Sequence, residues 1–213
     1  MKAVVERRGF KPNFSVIMWD ERFGTSEYIY GTEPNDFLVS VASKIPQGKI
    51  LSLADGEGRN GTYLASLGYE VVAVDQSSVG LAKAQKLAQE KQVAIATIQT
   101  DLADFAITPQ SWDGIISIFC HLPSELRTKV YRQAVMGLKP NGVFVLEAFA
   151  PEQLQYNTGG PKNLDMLPSL ATLQHELADL HWEIAREVER DLLEGRYHNG
   201  KAAVIQILGR KQS

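Results

Sequence analysis

The sequence is poor in features that mark secreted, membrane or nucleic-acid-binding proteins. Its single cysteine, Cys120, excludes an internal disulfide and an all-cysteine metal site, and we find no other metal-ligand pattern. It has no apolar run of the about 18 residues that a membrane span needs. With 22 basic and 25 acidic residues its net charge is −3, which argues against a broadly basic surface for nucleic acid. The charged N-terminus does not resemble a signal peptide, so we expect a cytoplasmic protein with neither nucleic-acid nor membrane partners.

The composition that remains is that of a globular protein, with 44% hydrophobic and 22% charged residues among 213. Residues 1–213 carry no repeat and no Pro/Ser-rich linker, which predicts a single domain. Within it, we expect residues 1–35, rich in aromatic side chains, to form an irregular N-terminal cover. Residues 36–149 are expected to form the ligand-binding core, and residues 150–213 a loop, a helix and a hairpin beside it.

Strands and helices alternate through the middle of the chain. The predicted strands are 49–53, 70–74, 93–99, 113–119 and 143–149, and the predicted helices are 36–44, 60–67, 77–92, 124–138 and 169–179. Such alternation indicates a parallel sheet with helices on both faces. Two further strands, 182–193 and 202–209, flank turn residues and form an antiparallel hairpin. The predicted fold is α/β: a doubly wound, mostly parallel, seven-stranded Rossmann-like sheet that ends in an antiparallel β-hairpin.

A glycine-rich loop, Asp55-Gly56-Glu57-Gly58-Arg59-Asn60-Gly61, joins the first predicted strand to its helix. Glycines in such a loop let the backbone approach a ligand closely and adopt positive φ. Asp75 ends the second predicted strand, where its carboxylate can accept hydrogen bonds from the hydroxyls of a ribose. This pattern fits both a nicotinamide dinucleotide and S-adenosylmethionine.

Three features favour S-adenosylmethionine. Asp101, followed by Leu102, lies just past the third predicted strand, where a carboxylate can accept a hydrogen bond from an adenine amino group. No second domain follows the fifth strand to hold a hydride acceptor. The chain also ends in the reversed hairpin and not in a sixth parallel strand.

With these motifs the sequence resembles the class I S-adenosylmethionine-dependent methyltransferases and, within that class, the tellurite-resistance methyltransferases. The resemblance runs from Trp19 to the C-terminal hairpin. It implies S-adenosylmethionine as the cofactor, with the backbone of Gly56 and Gly58 along its methionine part, Asp75 at the ribose, and Asp101 with Leu102 at the adenine. The predicted cofactor-binding residues are Tyr30, Asp55, Gly56, Gly58, Asn60, Asp75, Gln76, Asp101, Leu102 and Ile118.

The sequence departs from the common family pattern at one point. That pattern has an acidic residue at the position of Ser52 and a glycine at that of Ala54, whereas here the acid comes later, at Asp55. The methionine ammonium is therefore held by Asp55, by backbone carbonyls or through water.

Several residues are candidates for the acceptor side. His121, after the fourth predicted strand, is the predicted catalytic residue, because a histidine with a pKa of about 6.5 can orient or deprotonate an acceptor. The alternative is that His121 caps a helix or bonds to backbone. Glu147 either orients the acceptor or is a hydrogen-bonded strand-end residue, and His198 either reaches the acceptor or stabilises the hairpin. The segment 155–162 is a lid or a simple connector.

Two N-terminal residues are candidates for contacts to the cofactor. The ring of Tyr30 either attracts the sulfonium cation or packs in the cover. Arg22 either binds the cofactor's carboxylate or forms a surface salt bridge.

The predicted function is methyl transfer from S-adenosylmethionine to a small, soft or anionic acceptor, such as a thiol or a chalcogen species. Two alternatives remain open: a non-catalytic protein that binds S-adenosylmethionine or S-adenosylhomocysteine, and a nicotinamide-dependent oxidoreductase. The sequence does not predict an oligomeric state.

Overall fold

The computed structural model describes residues 14–212, in which strands and helices alternate. The strands are β1 (Lys49–Leu53), β2 (Glu70–Asp75), β3 (Ala96–Gln99), β4 (Trp112–Ile118), β5 (Leu138–Phe149), β6 (Leu180–Leu193) and β7 (Asn199–Lys211). The helices are α1 (Phe14–Phe23), α2 (Asp36–Val41), α3 (Arg59–Ser66), α4 (Ser78–Glu90), α5 (Ser124–Gly137) and α6 (Leu170–Glu176), with 3₁₀ turns at Ala42–Lys44, Pro151–Gln155 and Leu164–Met166. Within this range no helix combines the length and apolar character needed to cross a membrane.

The strands form one seven-stranded sheet in the order β3-β2-β1-β4-β5-β7-β6. Strands β1 to β5 are parallel, and β7 runs antiparallel to both of its neighbours, β5 and β6. This confirms the predicted doubly wound sheet with its terminal hairpin. The chain order reverses between β1 and β4, and ligands of such sheets bind beyond the carboxyl ends of the strands at that point.

Two apolar layers fix the position of those strand ends. Leu51 and Phe144 belong to the layer on one face of the sheet, and Ile50 and Val145 belong to the layer on the other. Neighbouring residues fall in opposite layers because side chains alternate across a strand. With both faces covered, the central strands present a fixed edge to any ligand.

The N-terminal cover differs from the prediction of an irregular segment. Its described part begins with α1, which packs against α4, and Asp20 on α1 accepts a hydrogen bond from Ser77 Oγ at the start of α4. Trp19 and Phe23 stack at 5.4 Å between ring centroids. Short helices depend on such tertiary packing more than on their own propensity, which is why the sequence pattern alone did not indicate α1. Residues 1–13 lie outside the described residues.

Some element boundaries also differ. Strand β3 begins at Ala96 and not at residue 93, because the Val93 amide bonds to the Ala88 carbonyl and closes the end of α4. Strand β5 begins at Leu138 and not at residue 143, with a register shift across which the pairing moves from Trp112–Leu138 to Gly114–Val143. The hairpin pairing continues from Leu193–Asn199 to Leu180–Lys211, beyond the predicted ends.

Candidate functional site

A cavity of about 720 Å³ lies at the carboxyl ends of β1, β2 and β4. The glycine loop and the strand ends form its floor. Its walls come from residues 15–31, residues 118–126, the loop at 159–166 and the hairpin turn at 197–198. Its volume is typical of small-molecule sites, for which about 300–1,000 Å³ is usual.

Nearly all of the predicted site residues meet in this cavity. The residues that line it are Tyr30, Asp55, Gly56, Asn60, Asp75, Gln76, Asp101, Leu102, Ile118 and His121. Gly58 lies outside the lining. Its φ is +86°, and a Cβ added there would stand 2.5 Å from the Cβ of Ala84, so this glycine provides the turn and the close packing of α3 on α4.

Asp75 is joined to the glycine loop through its carboxylate. One oxygen accepts a hydrogen bond from the amide of Gly56 at 2.9 Å, and the other accepts from the amide of Ser77 at 2.8 Å. Burial raises the pKa of Asp75 to about 6, although both hydrogen bonds favour the ionised form. The backbone of Gln76 also favours the ionised form. A carboxylate has about four lone-pair sites, so this group can still accept a hydrogen bond from a ligand.

The carboxylate of Asp55 is turned towards the first turn of α3. Its Oδ1 accepts hydrogen bonds from Ser52 Oγ and from the amide of Gly61. Its Oδ2 is buried without a hydrogen-bond partner among the described residues, and it lies 2.6 Å from the place that a Cβ of Gly61 would occupy. Burial raises the pKa of this carboxyl. The serine in the place of the family's usual acid therefore serves as a hydrogen-bond donor to Asp55.

Glu57, which the sequence analysis did not single out, fastens the cover to the glycine loop. Its Oε2 accepts hydrogen bonds from the amides of Ile29 and Tyr30, at 2.8 and 3.3 Å, and its Oε1 accepts one from Lys83 Nζ. Lys83 also donates to the carbonyl of Phe23. One buried carboxylate thus holds two segments of the N-terminal cover over the site.

Aromatic groups surround the guanidinium of Arg22 on the cavity wall. It lies 4.7 Å from the ring centroid of Trp19 and 5.3 Å from that of Tyr197, and it donates a hydrogen bond to the hydroxyl of Tyr30. Cations are attracted to the faces of such rings. The structure therefore places this charge on the cavity wall, where an anionic group of a ligand could reach it.

Two histidines flank a pair of phenylalanines at one end of the cavity. His121 stacks on Phe149 at 5.3 Å, and His198 lies 5.2 Å from the same ring and 4.5 Å from that of Phe119. Burial, with a smaller effect of His198, lowers the pKa of His121 to about 3. His121 is therefore neutral at physiological pH.

His198 differs from His121 because a carboxylate stands beside it. Its Nδ1 is 3.6 Å from Glu194 Oε2, which also accepts a hydrogen bond of 2.7 Å from Arg59 Nη2. Burial alone would raise the pKa of Glu194, but His198 and Arg59 hold it well below its usual range. Arg59 and Glu194 are 135 residues apart in the chain, so no local spacing indicates this contact.

For Glu147 the sequence left two alternatives, and the structure supports a hydrogen-bonded residue near the end of a strand and not a group that orients the acceptor. It is fully buried, and its carboxylate accepts hydrogen bonds from Arg190, Gln206 and Asn35. It does not line the cavity. These bonds connect β5 to the hairpin and to the start of α2 behind the site.

A family model described as a methyltransferase domain matches residues 50–142, which include the glycine loop, Asp75 and Asp101. The uncharacterized methyltransferase YbaJ of Bacillus subtilis is 27% identical over 111 residues, covering 52% of this chain and 44% of that protein. The crystal structure of TehB from Haemophilus influenzae has a TM-score of 0.70 at 20% identity and covers 92% of this chain and 67% of TehB. Together these similarities support a class I S-adenosylmethionine-dependent methyltransferase.

The chain also matches the glycine/sarcosine N-methyltransferase of Halorhodospira halochloris, with 28% identity over 137 residues, covering 62% of this chain and 48% of that protein. The chain thus spans about half the length of the curated relatives it matches. The likeness to TehB is a likeness of fold.

Proposed function

We propose that the protein transfers a methyl group from S-adenosylmethionine to a small acceptor. The supporting observation is one continuous cavity that joins an acidic end, with Asp75 and Asp101, to an aromatic end with two histidines. When bound, S-adenosylmethionine supplies an electrophilic methyl group on a sulfonium sulfur. The residues of the chain then have to bind the cofactor and the acceptor, align the acceptor with the methyl group and exclude water. These are the main contributions a protein makes to such a transfer.

The residues at the acidic end fit the nucleoside part of this cofactor. The free lone pairs of Asp75 suit the ribose hydroxyls, and its hydrogen bond from Gly56 brings the glycine loop alongside. Leu102 and Ile118, both buried, offer apolar surfaces for the adenine ring, while Asp101 suits its amino group. These assignments follow the roles that the family resemblance implies.

The N-terminal cover fits the methionine part. The rings of Trp19, Phe23 and Tyr30 form an aromatic wall, with 6.4 Å between the centroids of Phe23 and Tyr30. A sulfonium cation facing such rings gains about 0.5–2 kcal/mol. Arg22, on the same wall, suits the methionine carboxylate, and Asp55 or backbone carbonyls suit the ammonium.

We infer that the acceptor is small and soft or anionic, such as a thiol or a reduced chalcogen species. The cavity is covered from two sides, because the amide of Arg196 on the hairpin bonds to the carbonyl of Ile29 in the cover. The aromatic rings and the neutral His121 suit a soft group better than a hard, strongly hydrated one. The net charge of −3 disfavours a generic nucleic-acid partner.

A screen for S-adenosylhomocysteine tests this function. The protein is incubated with S-adenosylmethionine and small thiols, chalcogen oxyanions, amines or phenols, and product is measured by mass spectrometry. We expect turnover of thiols or chalcogen species, and loss of turnover in Asp75→Ala. Tight cofactor binding without turnover would favour the non-catalytic alternative, and binding of NADH without S-adenosylmethionine would favour the oxidoreductase. Methylation of RNA, DNA or intact protein, with no small acceptor used, would refute the acceptor class.

A further inference from the structure

We propose that His198, oriented by Glu194 and Arg59, takes the proton of the acceptor during methyl transfer. This rests on the proposed methyl transfer, and it applies to acceptors that arrive protonated, such as alkyl thiols. It assigns to the C-terminal hairpin the role that the sequence pattern suggests for His121.

The hairpin fixes the ring of His198 at the aromatic end of the cavity. The ring centroid lies 4.6 Å from that of Tyr30 and 4.5 Å from that of Phe119. The backbone around it is bonded on both sides, since the amide of Glu194 donates to the carbonyl of His198 at 2.8 Å and the amide of Asn199 donates to the carbonyl of Thr158 at 3.2 Å. The ring therefore lines the cavity in a defined place.

A charged carboxylate faces one edge of that ring. Glu194 Oε1 accepts hydrogen bonds from Asn35 and Arg190, and Oε2 accepts one from Arg59. These donors keep the carboxylate ionised and fixed beside Nδ1 of His198. The 3.6 Å gap is longer than a hydrogen bond, and Nδ1 is buried without a hydrogen-bond partner among the described residues. Contacts of catalytic groups are often long before ligands bind and tighten in the complex. With Nδ1–H directed at Glu194, Nε2 on the opposite edge of the ring is the atom that can take a proton.

The environment of His121 lacks this support. Its ring stacks on Phe149 with an interplanar angle of 13°, and its Nε2 is buried without a hydrogen-bond partner among the described residues. The backbone of Phe119 favours the protonated form of His121, but burial and the neighbouring His198 oppose it. A proton placed on His121 would meet aromatic rings, whereas a proton on His198 meets a carboxylate.

The proton and the electrons balance in one step. The acceptor gives its proton to Nε2 of His198 and its electron pair to the methyl carbon, and the bond between that carbon and sulfur breaks with its pair left on sulfur. The positive charge that was on sulfur is then on the imidazolium of His198, beside the ionised Glu194. The proton leaves to water when the product dissociates. A carboxylate that stabilises a transient imidazolium is a recognised way to strengthen a histidine base.

A series of thiols of different acidity provides the first test, with wild-type formation of S-adenosylhomocysteine measured in the same assay. For alkyl thiols, whose pKa lies above pH 7, we expect His198→Gln to lower turnover about 10²–10⁴-fold. For thiols that are already ionised at pH 7, we expect the loss to stay below about threefold, because no proton has to be removed. His181→Gln, at an exposed histidine of β6 outside the cavity, is the matched control and should leave both rates unchanged.

Equal losses for both kinds of thiol, or no loss for either, would overturn the assignment to His198. If the wild-type protein turns over none of the acceptors, it is instead the proposed function that fails. The two failures are therefore distinguishable.

Two further readouts separate proton transfer from packing. Long-range ¹H–¹⁵N NMR of the wild-type protein at neutral pH should show His198 neutral, with its proton on Nδ1; a proton on Nε2 would overturn the proposal. Burial lowers the pKa of His198, and the Glu194 carboxylate opposes that effect. Glu194→Gln should therefore move the acidic limb of the pH–rate profile to lower pH, because the loss of the carboxylate makes the base weaker. An unmoved limb would contradict the role of Glu194, and if this variant does not fold, the wild-type tautomer decides.

The other charged groups near His198 are the same in the wild-type protein and in Glu194→Gln. Arg59 on α3 opposes its protonation, and Glu147 on β5 favours it. His121, after β4, is uncharged at the pH values of the assay. The expected shift of the limb in Glu194→Gln therefore reports on that carboxylate.

Discussion

The raised pKa of Asp75 predicts that cofactor binding weakens as the solution becomes acidic. In the role proposed for Asp75, its ionised carboxylate accepts hydrogen bonds from the ribose hydroxyls, and a protonated carboxyl accepts them poorly. Because the pKa of Asp75 in the free protein is about 6, the ionised form prevails at pH 7.5 and becomes the minority at pH 5. The proton thus competes with the cofactor, and we expect the affinity to fall about tenfold between pH 7.5 and pH 5, close to 1.4 kcal/mol.

Calorimetry measures this effect in two independent ways. The dissociation constant of S-adenosylmethionine is determined from pH 8 to pH 5, with circular dichroism to check that the fold is intact. Titrations at pH 6 in buffers of different ionisation enthalpy should in addition show release of about half a proton for each cofactor bound. Constant affinity between pH 7.5 and pH 5, with an intact fold, would refute the role of Asp75.

Two variants complete that experiment. In Asp75→Asn the amide can accept from only one of the two backbone amides that the carboxylate binds, and the charge is lost. We expect cofactor binding to weaken by roughly 1.5–3 kcal/mol at neutral pH and the acidic fall in affinity to disappear. Asp101→Asn is the matched control, which should retain the fall with pH.

Two further substitutions test neighbouring residues. Gly58→Ala should destabilise the protein by roughly 1–3 kcal/mol in urea unfolding, because the added methyl group meets Ala84 and the backbone there has positive φ; unchanged stability would contradict this packing role. Asp101→Ala should reduce cofactor affinity less than Asp75→Ala does, since the adenine ring keeps its apolar contacts, and calorimetry showing the larger loss at Asp101 would indicate that the roles of the two carboxylates are reversed.

The sheet and the acidic end of the cavity could be predicted because their signals are local. A run of apolar or β-branched residues indicates each strand, and the glycine content indicates the loop. Asp75 and Asp101 follow neighbouring strands, and the carboxyl ends of parallel strands meet at one edge of the sheet. Their shared place in the cavity therefore followed from the fold class alone.

The aromatic end of the cavity could not be predicted in the same way, because it depends on contacts between distant parts of the chain. Arg59 and Glu194 have no sequence relation that reveals their ion pair, and the effect of that pair on His198 exists only in the folded protein. His121 stood out because it follows a predicted strand directly. Gly58 belonged to the recognised loop, but its contact with Ala84 required the packing of two helices.

One contact between the cover and the hairpin is made by main-chain atoms alone. The amide of Arg196 meets the carbonyl of Ile29 at 2.8 Å, and a Cβ on Gly195 would come within 2.3 Å of that same oxygen. Side chains nearby, such as those of Tyr30 and Tyr197, take no part in this backbone contact. Substitution of either tyrosine leaves this backbone hydrogen bond in place, whereas a side chain at Gly195, whose φ is +73°, would collide with the carbonyl of Ile29. The cavity therefore keeps one hydrogen bond between its two covering segments that does not depend on the side chains lining it.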